Sequence, residues 1–249
     1  MIKLLTSSCL VIFSVISCMG QPEDSLKFTT VNFYAGGQVA VPSAEFRNVI
    51  NNSTGNLGYG LYTGLLMSPL GKNKPSPILL GIDFGFFTYG NEKQKGSGNM
   101  PSLKTTHNVF TWNAAARLKP ILHQGKVTPF FDGLIGLKLF NSKTKIDKDL
   151  ANIIFNDNQN EVINNVRDIG LNYGLGIGFY TNPQKTNTAG FQLRLLYLWG
   201  DEVKYVVRNS VAVDANGNVS FEAARANTSM VIIQIGFTAL ALKTLVGAN

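Results

Sequence analysis

The sequence is poor in charge. Charged residues make up 15% of its 249 positions, against roughly 25% in an average soluble domain. Part of the folded surface is therefore expected to face something other than water. The 22 Lys and Arg residues outnumber the 15 Asp and Glu residues and give a formal net charge of +7, which excludes an acidic, mostly disordered chain.

Cysteine is almost absent, and both copies lie near the N-terminus, at Cys9 and Cys18. Residues 1–20 combine a basic start, a short apolar stretch and small residues, which predicts a signal peptide cleaved after Gly20. Cleavage there removes both thiols, so the mature chain is expected to contain no disulfide and no His/Cys metal site. The segment ending at Cys18 also fits a lipoprotein signal, in which Cys18 is the lipidated N-terminus. Residues 21–30 are predicted to be a polar periplasmic leader.

Long apolar runs are missing too. No run of about 18 apolar residues follows Thr30, which excludes a transmembrane helix. Alternation with a period of two recurs instead, as expected for strands with two different faces. In residues 171–180, bulky apolar residues alternate with Asn172 and glycines. The same pattern occurs in residues 78–86, 110–118, 131–139, 191–199 and 231–238, and more weakly in 31–41 and 57–67.

The connectors between these predicted strands alternate in length. A transmembrane barrel has short periplasmic turns and long outer loops, whereas a soluble barrel has no reason for such alternation. The pattern predicts an all-β, eight-stranded, antiparallel up-and-down transmembrane barrel over residues 31–249. If the predicted hairpin around Asn216 and Gly217 also crosses the membrane, the barrel has ten strands. The long outer loops are predicted at residues 42–56, 90–107, 141–168 and 200–229.

The bulky apolar face is expected to point towards lipid. In a soluble barrel these residues would fill the interior and leave an outer surface made mainly of glycine. With the faces reversed, lipid covers the apolar residues, and the small face lets a narrow lumen close. Inward charges are costly unless they pair, so a barrel-interior ion network is predicted, with a gate or solute-contacting ring as the alternative. The network residues are Asp83, Arg117, Asp132, Lys138 and Arg194. Lys138 is expected higher in the lumen than the other four, where it either joins the network or faces the mouth.

These patterns resemble the small outer-membrane β-barrel proteins of gram-negative bacteria, the OmpA-barrel, OmpX and OmpW-like families. The resemblance covers residues 31–240 and is strongest for members with a single barrel domain. It implies a location in the outer membrane and insertion by the barrel assembly machinery. In these families the last strand usually ends in an aromatic residue, and Phe237 fits this pattern loosely because the chain continues to Asn249.

Candidates for catalysis are few. The only histidines are His107, predicted in an outer loop or at a strand mouth, and His123, predicted in a short turn. A hydroxyl nucleophile needs a positioned base, so the protein is predicted not to be an enzyme, with no catalytic residue, cofactor or metal. A lipid-modifying enzyme that uses His107 is the alternative.

The expected function is structural or interaction-based, carried out by a monomer through its outer loops, with the lumen plugged by the ion network. The lysines of the loops are expected to face water or the anionic head groups of outer-membrane lipids and lipopolysaccharide. Loop 141–168 is long enough to bind an extracellular partner. Nucleic acid is not an expected partner, because no aromatic and basic platform is present. The alternatives are a narrow channel for small or apolar solutes and a soluble periplasmic lipid-binding barrel.

Overall fold

A computed structural model describes most of the chain between residues 27 and 244. The predicted signal peptide lies outside the described residues, and so does the predicted leader up to residue 26. Residues 27–30 of that leader belong to the first strand. The described ranges are 27–49, 57–71, 73–94, 103–121, 126–146, 162–181, 189–206, 212–213 and 219–244.

The described chain is built almost entirely of strands, with one helix of 6 residues. No helix in these ranges is long and apolar enough to cross a membrane. The elements are β1 (Lys27–Pro42), α1 (Ala44–Val49), β2 (Gly58–Met67), β3 (Ile78–Gln94), β4 (Leu103–Leu118), β5 (Val127–Ile146), β6 (Val162–Thr181), β7 (Ala189–Gly200), β8 (Glu202–Val206), β9 (Ala212–Val213), β10 (Val219–Ser220), β11 (Ala223–Asn227) and β12 (Met230–Thr244).

Eight of these strands close into an antiparallel barrel. Strands β1 to β7 each pair with their neighbours in the chain, β12 pairs with β7, and β1 pairs with β12 to close the sheet. The register of the closing pair runs from Lys27 opposite Thr244 to Pro42 opposite Met230. The predicted eight-stranded up-and-down barrel is therefore confirmed.

The two faces of the barrel are inverted relative to those of a soluble protein. On β6, Leu171, Tyr173 and Ile177 are 60%, 55% and 58% exposed, whereas Asn172 and Gly174 between them are buried. The other barrel strands show the same alternation, with apolar side chains outside and polar or small ones inside. A continuous apolar belt of this kind is stable only when lipid covers it. The predicted assignment of the faces is thus correct.

The strands are longer than predicted at one end of the barrel, here called the upper end, where β1 ends and β2 begins. Strand β3 continues to Gln94 and β5 to Ile146, so the predicted loops 90–107 and 141–168 are partly strand. Strands β5 and β6 have 20 residues each, about twice the number that a tilted strand needs to cross a membrane. In these upper parts most residues on both faces are polar, and the hydrophobic alternation that revealed the lower parts is lost.

Two other predicted loops also contain regular structure. Helix α1 follows β1 directly, within predicted loop 42–56. Within predicted loop 200–229, β8 pairs with β11 and β9 pairs with β10. These short ladders are separate from the barrel sheet. The predicted hairpin therefore lies outside the barrel, which has eight strands and not ten.

The inverted faces lead to a testable prediction at Ile135, which is 65% exposed in the middle of β5. Because lipid covers this position, Ile135→Arg should lower the free energy of unfolding by about 2–4 kcal/mol. Asn165→Arg, at an exposed position in the upper part of β6, is the control and should cost less than about 0.5 kcal/mol. Denaturant titration in bicelles measures both. Equal, small effects would mean that water and not lipid covers Ile135.

Candidate functional site

The strand register brings charged side chains together in the lower half of the lumen. Arg117 on β4 lies directly opposite Asp132 on β5. Asp83 on β3 lies opposite Asn113 on β4. Residues directly opposite each other share a face, with Cβ atoms about 4.5–5.5 Å apart. Arg194 on β7 completes a group of four, and Asp83, Arg117, Asp132 and Arg194 are named the ion cluster.

Asp132 is shared by both arginines of the ion cluster. Arg117 donates from Nε to Asp132 Oδ1 at 2.8 Å and from Nη2 to Oδ2 at 2.9 Å, a two-pronged arrangement that suits the planar guanidinium. Arg194 Nε lies 2.7 Å from Asp132 Oδ2. Both arginines are 0% exposed and Asp132 is 1% exposed. Water therefore contributes little to compensating these charges.

Asp83 neutralises the second arginine. Arg194 Nη1 donates to Asp83 Oδ2 at 2.7 Å, and the hydroxyl of Tyr34 donates to the same oxygen at 2.8 Å. Asn113 Nδ2 lies 3.4 Å from Asp83 Oδ1. The ion cluster thus holds two carboxylates and two guanidiniums, and its formal charges cancel.

Amide side chains surround the ion cluster and accept hydrogen bonds from the Nη1 atoms of both arginines. Arg117 Nη1 donates to Asn32 Oδ1 at 3.1 Å and to Gln192 Oε1 at 3.2 Å. Arg194 Nη1 donates to Gln234 Oε1 at 3.0 Å. A buried charge needs such hydrogen bonds in addition to its ion pair. Strands β1, β7 and β12 are joined to the cluster in this way.

The remaining strands are linked through further amides. Gln234 Nε2 donates to Gln38 Oε1 at 2.7 Å, and Gln38 Nε2 donates to the carbonyl oxygen of Leu61 on β2 at 2.8 Å. Asn172 Nδ2 on β6 donates to Asn113 Oδ1 at 3.1 Å. All eight strands of the barrel therefore contribute to one hydrogen-bonded network around the ion cluster.

Aromatic rings cover the guanidiniums. The guanidinium carbon of Arg117 lies 3.7 Å from the centre of the Phe130 ring and 4.8 Å from that of Tyr34. The guanidinium carbon of Arg194 lies 5.5 Å from the centre of the Tyr34 ring. Cation–π contacts gain strength when the cation is desolvated, so the rings stabilise charges that have left water.

Lys138 lies apart from the ion cluster and higher in the lumen, so of the two alternatives it does not join the network. Its Nζ donates to the carbonyl oxygen of Thr228 at 2.6 Å and lies 3.3 Å from Thr228 Oγ1. Lys138 follows Asp132 by six positions on β5, which is roughly 20 Å along a strand. Of the predicted network residues, the structure brings together Asp83, Arg117, Asp132 and Arg194, and it places Lys138 in the upper lumen.

Sequence reasoning missed an aromatic contact in the upper lumen. Phe46 of α1 is 1% exposed, and its ring centre lies 5.4 Å from that of Tyr89 and 5.8 Å from that of Phe140. The helix is held by Ser43, whose N–H donates to the carbonyl oxygen of Ser229 at 2.8 Å. The signal for this contact is that Phe46 is the one aromatic residue of the predicted loop 42–56.

The structure describes His107 but not His123. His107 lies within β4, not in a loop, and its buried Nδ1 lies 2.6 Å from Ser142 Oγ. Its ring stacks on Phe140 with centroids 5.8 Å apart. In the described part of the chain, no carboxylate hydrogen-bonds to this ring, and no cluster of His, Cys, Asp or Glu could hold a metal. His123 lies outside the described residues.

Comparisons with known proteins identify the fold. No protein-family model matches the sequence, and no curated protein matches it. Among solved structures, a major outer membrane protein from Thermus thermophilus is 12% identical, with 85% of this chain and 99% of that chain covered and a TM-score of 0.50. The outer membrane protein OprG from Pseudomonas aeruginosa is 14% identical, covers 89% and 99% of the two chains and has a TM-score of 0.42. Neisserial surface protein A is 11% identical, covers 84% and 96%, and has a TM-score of 0.42. With its closed sheet and lipid-facing belt, the chain is an eight-stranded barrel with the fold of outer-membrane proteins.

Proposed function

We propose that the protein is a structural and interaction barrel of the outer membrane, with a closed lumen and an extracellular binding surface at its upper end. The observation that carries this proposal is the hydrogen-bonded network that joins the ion cluster to all eight strands. A network of this reach braces the barrel and fills its cross-section at the same time.

The ion cluster closes the lower half of the lumen. Eight strands leave an interior just wide enough for side chains, and the large buried side chains Arg117, Arg194 and Tyr34 occupy it here. Breaking a buried ion pair costs about 3–5 kcal/mol, because a charge is left without compensation. A solute moving through this level would have to separate Asp132 or Asp83 from its guanidinium.

Helix α1 closes the upper half independently. The ring of Phe46 packs among Tyr89 and Phe140, so apolar contact replaces ion pairing at this level. Closure at two levels by different interactions favours a structural role over the alternative, a narrow channel for small or apolar solutes.

The working surface is the part of the sheet that rises above the membrane, named the upper extension: residues 91–94, 103–107, 141–146 and 162–168. Long connectors lie outside in outer-membrane barrels, which makes this end extracellular. The extension is paired sheet and not free loop. A surface built on paired strands is held in place before a partner binds.

The pair formed by His107 and Ser142 is assigned a packing role. Both side chains are buried, at 4% and 0% exposure, and their hydrogen bond satisfies two polar groups inside the upper extension. A hydrolytic site needs a third group to orient the histidine and donors for an oxyanion. The contacts around His107 in the described residues supply neither.

The bracing role predicts a large effect of Asp132→Asn. This change removes the shared carboxylate charge and leaves two buried guanidiniums facing one carboxylate, so the free energy of unfolding should fall by about 3–5 kcal/mol. The matched control is Glu202→Gln, which removes an exposed carboxylate on β8 and should change stability by less than about 0.5 kcal/mol. Heat modifiability on gels and denaturant titration measure both. A loss below about 1 kcal/mol for Asp132→Asn would rule out the bracing role.

The closed lumen predicts the behaviour of the protein in planar lipid bilayers. Wild-type protein should give no ohmic conductance steps, since the ion cluster and Phe46 each block the lumen. Phe46→Ala should also remain silent, because the ion cluster is intact below the mutated residue. Ohmic steps from wild-type protein whose size changes in Arg117→Ala or Arg194→Ala would show instead that the lumen is a conduit.

A further inference from the structure

The outward face of the upper extension is basic. Its residues continue the lipid-facing positions of β4, β5 and β6, so their side chains stand over the outer leaflet and not over the lumen. On this face, above the apolar belt, the described residues of these strands include no Asp or Glu. The basic residues are Lys104, Lys143, Lys145 and Arg167, all partly or fully exposed.

Lysines occupy directly opposite positions in this sheet. Lys104 on β4 lies opposite Lys145 on β5, and on its other side Lys104 has Lys93 of β3 as its register partner. Like charges directly opposite each other destabilise a sheet. The pair of Lys104 and Lys145 therefore favours an anion bound between β4 and β5.

The basic residues lie at successive heights above the apolar belt. The last apolar level joins Leu139 and Ile169, which are register partners. Arg167 is one level higher, Lys143 two levels, and the pair of Lys104 and Lys145 three levels. Each level is two residues, or roughly 7 Å along a strand. With a tilt of about 40°, a level adds about 5 Å of height, so the charges cover roughly 5–15 Å above the hydrocarbon.

We infer that this outward basic face binds the phosphate groups of lipopolysaccharide in the surrounding outer leaflet. This inference rests on the proposed extracellular placement of the upper extension. Lipopolysaccharide carries its phosphates just above its acyl chains, and Lys and Arg bind phosphate through charge-assisted hydrogen bonds. The basic residues point away from the barrel axis, so a neighbouring lipid can contact them from within the leaflet.

The uncharged residues of the same face suit a phosphorylated sugar. Asn108, Asn141 and Asn165 lie among the basic residues and are at least partly exposed. Amide side chains both donate and accept hydrogen bonds, as sugar hydroxyls require. The combination of phosphate-binding cations and amides matches the glucosamine phosphates of lipopolysaccharide better than it matches a simple anionic phospholipid.

The test compares the refolded protein in phosphatidylcholine bicelles with and without lipopolysaccharide. A ligand that binds only the folded state raises the unfolding temperature, which heat modifiability reports. The test variant is K104Q/K145Q, which removes the directly opposite pair. The control is K74Q/K126Q, which removes two exposed lysines from the connectors at the other end of the barrel.

The expected effect of K104Q/K145Q differs between the two lipid mixtures. Without lipopolysaccharide, K104Q/K145Q should be at least as stable as wild type, because a repulsive pair is gone. With lipopolysaccharide, its apparent affinity should be about tenfold weaker than that of wild type. K74Q/K126Q should bind like wild type. Dephosphorylated lipopolysaccharide should stabilise wild type and K104Q/K145Q equally.

Three outcomes would overturn the inference. The first is equal stabilisation of wild type by phosphorylated and dephosphorylated lipopolysaccharide. The second is an equal loss of binding in the control variant. The third is stronger stabilisation by phosphatidylglycerol or by a soluble sulfated oligosaccharide, which would identify a general anionic lipid or a soluble polyanion as the partner. The two proposals are tested separately. Conductance tests whether the lumen is closed, and lipid binding tests the basic outer face.

Discussion

The carboxylate of Asp132 is the centre on which the interior of this barrel depends. Inside a lipid-covered sheet, a charge has no bulk water to compensate it, and Arg117 and Arg194 are both fully buried. Asp132 contacts both guanidiniums, and Asp83 supplies the second negative charge. Removal of any one of the four side chains leaves an uncompensated charge in the lumen. Because β3, β4, β5 and β7 each provide one of them, the electrostatic balance also keeps these strands in register.

A steric constraint explains small residues of the inward face. At the seam where the barrel closes, Gly36 on β1 lies opposite Gly236 on β12. A Cβ atom at Gly36 would overlap the carbonyl oxygen of Ile235, and one at Gly236 would overlap that of Ala35. Glycine thus allows the first and last strands to approach each other. Next to this seam, the hydroxyl of Tyr62 occupies space that a Cβ atom at Gly236 would need.

The sequence pattern predicted the membrane-spanning parts of the strands, which lipid contacts. It did not predict the parts of the strands that extend above the membrane. Within the membrane, alternation between apolar and small residues revealed the strands and their faces, as at residues 171–180. In the upper extension both faces are mostly polar, so 103–107 and 141–146 were predicted as loop. The packing of Phe46 was missed because helix α1 lies in a connector, where the alternation of strands gives no information. The inward charges were predictable by parity, and the position of Lys138 along β5 placed it above Asp132. Parity did not reveal that Lys138 binds Thr228, because that contact depends on the strand connection that follows β11.

The charges of the ion cluster compensate one another, so the energetic effects of removing them are coupled. A double-mutant cycle on Arg117 and Asp132 tests this coupling most directly. Arg117→Met and Asp132→Asn each leave an uncompensated charge, whereas the double variant leaves Arg194 paired with Asp83 and restores neutrality. The free energy of unfolding in bicelles should therefore show a coupling of about 2–3 kcal/mol, with the double variant losing much less than the sum of the single losses. Additive losses, within about 0.5 kcal/mol, would contradict the account.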